Sequence, residues 1–126
     1  MDLTHRERSE DGIPVLQLIG DVDLATLPSL YERVNRFVLE VDQPCAVIDL
    51  TDLVAMQAVA LGVFLEARLQ LRSASSELEL VCDNANVWSL FTRSGLDATF
   101  AHHRTVEEAC GGAARTPGRA VTELES

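Results

Sequence analysis

Positive charge is scarce in this chain. Its 126 residues carry 20 Asp and Glu against 10 Lys and Arg, a formal charge of -10. A nucleic-acid backbone would be repelled over most of such a surface, and no basic cluster with interleaved aromatics offsets this. Direct binding to nucleic acid is therefore disfavoured, and any link to transcription has to run through a protein partner. Long apolar runs are missing as well. Hydrophobic residues make up 47% of the chain, but in short stretches, none near the ~20 residues that cross a bilayer, and residues 1 to 6 lead into no signal-peptide core. The expectation is a soluble cytoplasmic protein with no membrane partner.

The chemistry-bearing residue types are equally sparse. Cys45, Cys82 and Cys110 are odd in number and lack CxxC or metal-type spacing, which fits reduced thiols. Cys45 and Cys82 read as small apolar core or strand-edge residues, with oxidation of Cys110 or Cys82 as a subsidiary means of control. His102 and His103 are adjacent on an expected strand and point to opposite faces, and with only His5 besides them they make no metal site. Gly12, Gly20, Gly62 and Gly95 form no phosphate-cradling loop. No nucleophile, oxyanion donor and base occur in recognisable spacing, so neither an enzyme nor a bound cofactor is expected.

What is present alternates between strand and helix patterns. Leu3 to Ser9 and Ile13 to Ile19, with Glu10-Asp11-Gly12 between them, predict a β-hairpin. Thr26 as N-cap, Pro28 in the first turn, and Leu27, Leu30, Tyr31, Val34, Phe37 and Val38 at helical spacing predict an amphipathic helix. Cys45 to Leu50 is a buried strand. A long helix follows over about 57 to 72, apolar nearly all round at its start, so its N-terminal half should be the more buried. Leu78 to Cys82 is another core strand, Asp83 to Asn86 offers N-caps for a helix stopped by Gly95, and Ala98 to His102 is a last short strand. Thr105-Val106-Glu107-Glu108 matches the capping box and opens a brief final helix. One domain over 1–112 and a polar, mobile tail over 113–126 complete the plan. Strands alternating with helices predict an α/β fold with a mixed sheet.

Three segments resemble one family. Gly20-Asp21-Val22-Asp23-Leu24-Ala25-Thr26-Leu27-Pro28 is similar to Gly-Glu-Leu-Asp-Leu-Ala-Thr-x-Pro of the STAS domain family, specifically its bacterial anti-sigma factor antagonists. Leu78 to Cys82, Val87 to Phe91 and Ser94-Gly95-Leu96-Asp97 resemble its closing strand, helix and Thr/Ser-Gly-Leu-Asp turn. Between them, residues 47 to 63 resemble the strand that runs into Asp-Ser-Ser/Thr-Gly-Leu-Gly and a helix. Laid on without gaps, the motif's Asp falls on Gln57, its phosphoacceptor serine on Ala58, the next Ser/Thr on Val59, and Leu-Gly on Leu61-Gly62. The resemblance implies a single STAS-like domain, with about four helices packed mainly on one face of the mixed sheet.

It also implies a mode of action. In the family, an unphosphorylated antagonist binds an anti-sigma factor that is a serine kinase, freeing the sigma factor until phosphorylation ends the contact. Phosphate at a helix start is favoured by free amides and the positive end of the dipole. Ala58 has no hydroxyl, Gln57 and Val59 supply none, and the nearest, Thr51, is seven residues away. Exchange of the motif's Asp for Gln57 also removes an N-cap worth about 1 kcal/mol. The implied contact set is Asp21, Asp23, Leu24, Thr51, Gln57, Ala58 and Leu61, with Asp23 equally suited to capping the helix that follows. The leading expectation is an antagonist, or antagonist-like regulator, of a kinase-type anti-sigma factor without the phosphoacceptor. The second is a STAS scaffold or ligand-sensing module of a larger complex without sigma-factor release. A homodimer, or pairing with other STAS proteins, stays open in either case.

Overall fold

The fold is built on a hairpin extended by parallel strands whose neighbours lie far away in sequence. In a computed structural model that describes residues 2–114, the order is β1 (Leu3–Glu10), β2 (Ile13–Val22), α1 (Leu27–Leu39), β3 (Cys45–Met56), a 3-10 turn (Ala58–Ala60), α2 (Leu61–Ser73), β4 (Glu77–Val81), α3 (Ala85–Arg93), β5 (Ala101–His103) and α4 (Val106–Ala114). The sheet runs β1-β2-β3-β4-β5. The β1–β2 pair is antiparallel and the others are parallel. Glu10 pairs with Ile13, leaving Asp11-Gly12 as a two-residue loop, both with positive φ. That is the conformation the right-handed strand twist favours and Asp-Gly tolerates.

Apolar residues on successive strand positions go to opposite faces. Leu16, Leu18, Ile48, Leu50, Leu78 and Leu80 point to the core shared with α1, α2 and α3. Val15, Cys45, Val47 and Val81 point the other way, onto Ala109 and Cys110 of α4. Three helices thus cover one face and α4 covers part of the other, which is why β3 opens as a continuous apolar run. Phe91 of α3 is the aromatic centre, stacked on Trp88 at 4.5 Å and edge-on to Phe100 at 5.5 Å.

The elements differ from the sequence expectation in several places. The strand expected to end at Leu50 continues to Met56, because it pairs with β2 from Val47 to Met56. The first turn expected of the long helix is the separate 3-10 turn. Burial along α2 is a stripe, Leu61, Phe64, Ala67 and Leu71, extending to the C-terminal end instead of concentrating in the first half, since only one side faces the sheet. The last strand begins at Ala101, after a turn in which the Thr99 amide donates to the Leu96 carbonyl. α4 continues through Gly111 and Gly112 to Ala114. Thr105 accepts the Glu108 amide as the capping box requires, but Glu108 Oε1 takes the Arg104 amide, one residue earlier than the motif has it. The tail expected to be mobile falls, from 115 to 126, outside the described residues.

Gly20 pairs with Leu3 at φ +117, and a Cβ there would stand 2.1 Å from the Asp2 carbonyl oxygen. Both the backbone angle and the close approach require glycine. Gly62 sits in α2 with nothing within 4 Å of a built Cβ. Urea unfolding should therefore show Gly20→Ala losing at least about 2 kcal/mol, while Gly62→Ala is neutral or gains up to about 1 kcal/mol.

Candidate functional site

The Asp21–Thr26 segment is locked by a small side-chain network. Thr26 Oγ1 accepts the Asp23 amide at 2.9 Å, Asp23 Oδ1 accepts the Thr26 amide at 3.0 Å, and the Thr26 hydroxyl donates to the Asp21 carbonyl at 2.9 Å. Thr26 is buried, and it gives α1 no side-chain cap; its hydroxyl fixes the turn instead. The Thr26 amide, as the largest influence, holds the Asp23 carboxyl below its ordinary value of 3.8. With its side chain turned inward in this way, Asp23 serves the local turn. Leu24 is left at the tip, 71% exposed.

Facing it is the end of β3. Two register shifts against β2, between Gln17 and Ile19 and between Gly20 and Asp21, add a residue to β3 each time. Leu50, Leu53 and Met56, three apart, consequently all reach the same core. Gln17 bonds the Asp52 carboxylate across the first bulge. At the second, Asn84 Nδ2 donates to the Leu53 carbonyl at 2.9 Å, while its Oδ1 caps α3 by accepting the Asn86 and Val87 amides. The Gln57 amide donates to the Val22 carbonyl at 3.0 Å, fixing Gln57 and Ala58 beside the Asp21–Thr26 turn.

Gln57 and Ala58 are exposed, and neither the 3-10 turn nor α2 has a side-chain cap or an acidic residue in its first turn. Val54, at 72% exposure, and Val59, at 48%, add to the apolar surface. The expected residues Asp21, Asp23, Leu24, Gln57 and Ala58 therefore gather at one end of the sheet. Two do not join them as surface groups. Leu61, 6% exposed, is part of the core and seats α2. Thr51 lies within β3, not in a turn, next to the lower bulge, with its amide on Asp49 Oδ1. Sequence reasoning missed Val54, Val59 and the bridging role of Asn84. Val54 hides in an apolar run whose period only the bulges define.

Acidic groups dominate this end: Asp21 at the close of β2, Asp23 just after it, Asp52 on β3 and Asp83 after β4. Further along it, Cys82, Asp83, Asn84, Ala85, Trp88, His102 and Arg104 line an open cleft of about 330 Å³. His102 stacks on Trp88 at 3.7 Å, and its Nε2 lies 3.0 Å from the Cys82 carbonyl. Thiol control finds no footing here: all three cysteines are buried, and burial pushes Cys82 and Cys110 up and Cys45 up to about 11, away from the reactive thiolate. Among the described residues no helix is long and apolar enough to cross a membrane.

The STAS domain family model matches residues 7–109. Among solved structures, an anti-sigma factor antagonist from Mycobacterium paratuberculosis is similar at 23% identity and TM-score 0.81, over 90% of this chain and 95% of that one. The anti-sigma factor antagonist SpoIIAA in its unphosphorylated form is similar at 18% identity and TM-score 0.69, over 85% and 93%. The phosphorylated form of SpoIIAA, a Bacillus cell fate determinant, gives 16% and 0.63, over 86% and 97%. These likenesses show a shared fold. No curated protein matches the chain.

Because its turn is tied through Thr26, the Asp23 carboxyl should titrate by NMR below 3.8, with the Thr26 amide shift following it. The sign follows from the lowered value: the contribution to stability is present above the unfolded carboxyl's range and is lost as pH falls through the folded one. Thr26→Val keeps the backbone amide that Asp23 accepts and removes only the hydroxyl, so it should weaken this coupling and cost about 1–3 kcal/mol by orphaning the Asp23 amide.

Proposed function

As the chain belongs to the STAS domain family, we propose that it is a non-enzymatic anti-sigma factor antagonist, or antagonist-like regulator, acting in the cytoplasm on a kinase-type anti-sigma factor. The observation that carries this reading is the junction of two segments. The locked Asp21–Thr26 turn and the uncapped start at Gln57-Ala58 are tied through Val22 and Gln57, with Leu24, Val54 and Val59 exposed around them. Exposed aliphatic groups at an end that also carries Asp21, Asp52 and Asp83 suit a partner with an apolar contact and a basic rim. The position matched to the phosphoacceptor is Ala58, so binding at this end is not ended by serine phosphorylation. Residues 1–112 carry the domain function in this proposal.

A second reading, a STAS module that senses a ligand within a larger complex, is favoured by the cleft at Trp88, His102 and Arg104. Co-purification from the native cell separates the two. A stable complex with an anti-sigma kinase supports the first, and exclusive association with other STAS proteins supports the second.

Incubation with that kinase and ATP should leave the natural chain unmodified, as judged by intact mass. Ala58→Ser with Gln57→Asp, which restores both acceptor and N-cap, should gain one phosphate. Phosphate on the natural chain at residues 51 to 59 would contradict the proposal. Leu24→Asp and Val54→Asp, both at exposed positions, should weaken the complex at least about tenfold, the effect of about 1.4 kcal/mol, with urea midpoints close to that of the natural chain.

A further inference from the structure

Beyond the junction, at the same end of the sheet, β4 and β5 finish side by side. The Cys82 amide donates to the His103 carbonyl at 2.9 Å, so the two segments leave the sheet together and carry Asp83 and Arg104 to one opening. This opening is the cleft of about 330 Å³, and it lies beyond the carboxyl ends of parallel strands, where open α/β sheets place their ligands. Its size is near the lower limit of the ~300–1,000 Å³ of small-molecule sites, which suits a compact ligand.

Most polar groups of the cleft wall are already engaged. Both ends of the Asn84 amide bond the backbone, the Cys82 thiol donates to the Asn84 carbonyl at 3.4 Å, and His102 Nε2 is held against the Cys82 carbonyl. Trp88 stacks on His102 and, with Phe91 behind it at 4.5 Å, is anchored to the core; both rings of the Trp88–His102 pair are half-buried and line the cleft. Asp83 and Arg104 differ from these. Both are exposed, and among the described residues neither side chain makes an ion pair, with the other or with any third group. One cleft thus holds an unpaired anion, an unpaired cation and a fixed planar platform.

We infer that the cleft binds a free aromatic α-amino acid as its zwitterion: Arg104 takes the carboxylate, Asp83 takes the ammonium group, and the side-chain ring lies against Trp88 and His102. A guanidinium matches a carboxylate through two parallel N–H groups, and an ammonium group meets a carboxylate as a compact charge. A simple anion would be opposed there by Asp83 and a simple cation by Arg104, so a ligand carrying both charges is the one that both residues favour. A ring adds the stacking and apolar contact that the platform offers. The inference rests on the second reading above, in which the cleft is a ligand site, and gives that ligand its chemistry.

Trp88, the single tryptophan of the chain, reports on the cleft directly. Its fluorescence in the full chain should change saturably with L-phenylalanine, at a Kd of about 1 mM or below. Phenylpropionate, which lacks the ammonium group, phenethylamine, which lacks the carboxylate, and glycine, which lacks the ring, should each bind at least about tenfold more weakly. Arg104→Gln should remove the advantage of L-phenylalanine over phenethylamine, and Asp83→Asn its advantage over phenylpropionate. Both positions are exposed, so urea midpoints should match that of the natural chain. No saturable response to L-phenylalanine would overturn the inference, as would equal affinity for phenylpropionate or phenethylamine, or a response that neither substitution weakens. The second reading is judged separately, by co-purification, and can survive that failure.

Discussion

The bulged path of β3 is the constraint on which the rest depends. A regular strand would send alternate residues to opposite faces, and Leu50, Leu53 and Met56 could not all enter one core. Two added residues against β2 let them do so. They also carry the chain just far enough for the Gln57 amide to reach the Val22 carbonyl. That bond fixes the start of α2 next to the β2–α1 turn, so the site is a product of strand register before it is a product of any particular side chain. The site lies beyond the carboxyl ends of β2 and β3, where open α/β sheets ordinarily place their binding surfaces.

Polar groups that maintain this geometry are spent on structure. Thr26 ties the turn, Asn84 joins α3 to β3 at the second bulge, and Gln17 holds Asp52 at the first. The large apolar groups left exposed at this end are Leu24, Val54 and Val59, in an acidic setting. Ala58 puts a methyl group, with no hydroxyl, at this end. On the proposed function, a contact made there would respond to concentration and affinity of the partner, not to covalent modification at that residue.

Much of this was legible in the chain. Asp11-Gly12 marks a two-residue hairpin loop, Leu30, Val34, Phe37 and Val38 mark the inner face of α1, and Gly20 to Pro28 marks the family through local residues alone. The parts that were not legible depend on partners distant in sequence. Register shifts arise between β2 and β3, so the apolar string from Leu53 to Met56 gives no sign that Val54 is outside and Met56 inside. Leu61 reads as an available helix-start residue until the sheet beneath it is known, which buries it. Glu79 alternates with leucines as a solvent-facing strand residue would, and only α4, arriving some thirty residues later, buries it.

The most direct measurement is an amide-exchange footprint of this protein mixed with the partner the proposed function requires, a kinase-type anti-sigma factor. Added protection at residues 21–26 and 54–59, with α4 unchanged, is the predicted result. A footprint confined to α4 and the strands beneath it, with 21–26 and 54–59 unaffected, would contradict the account.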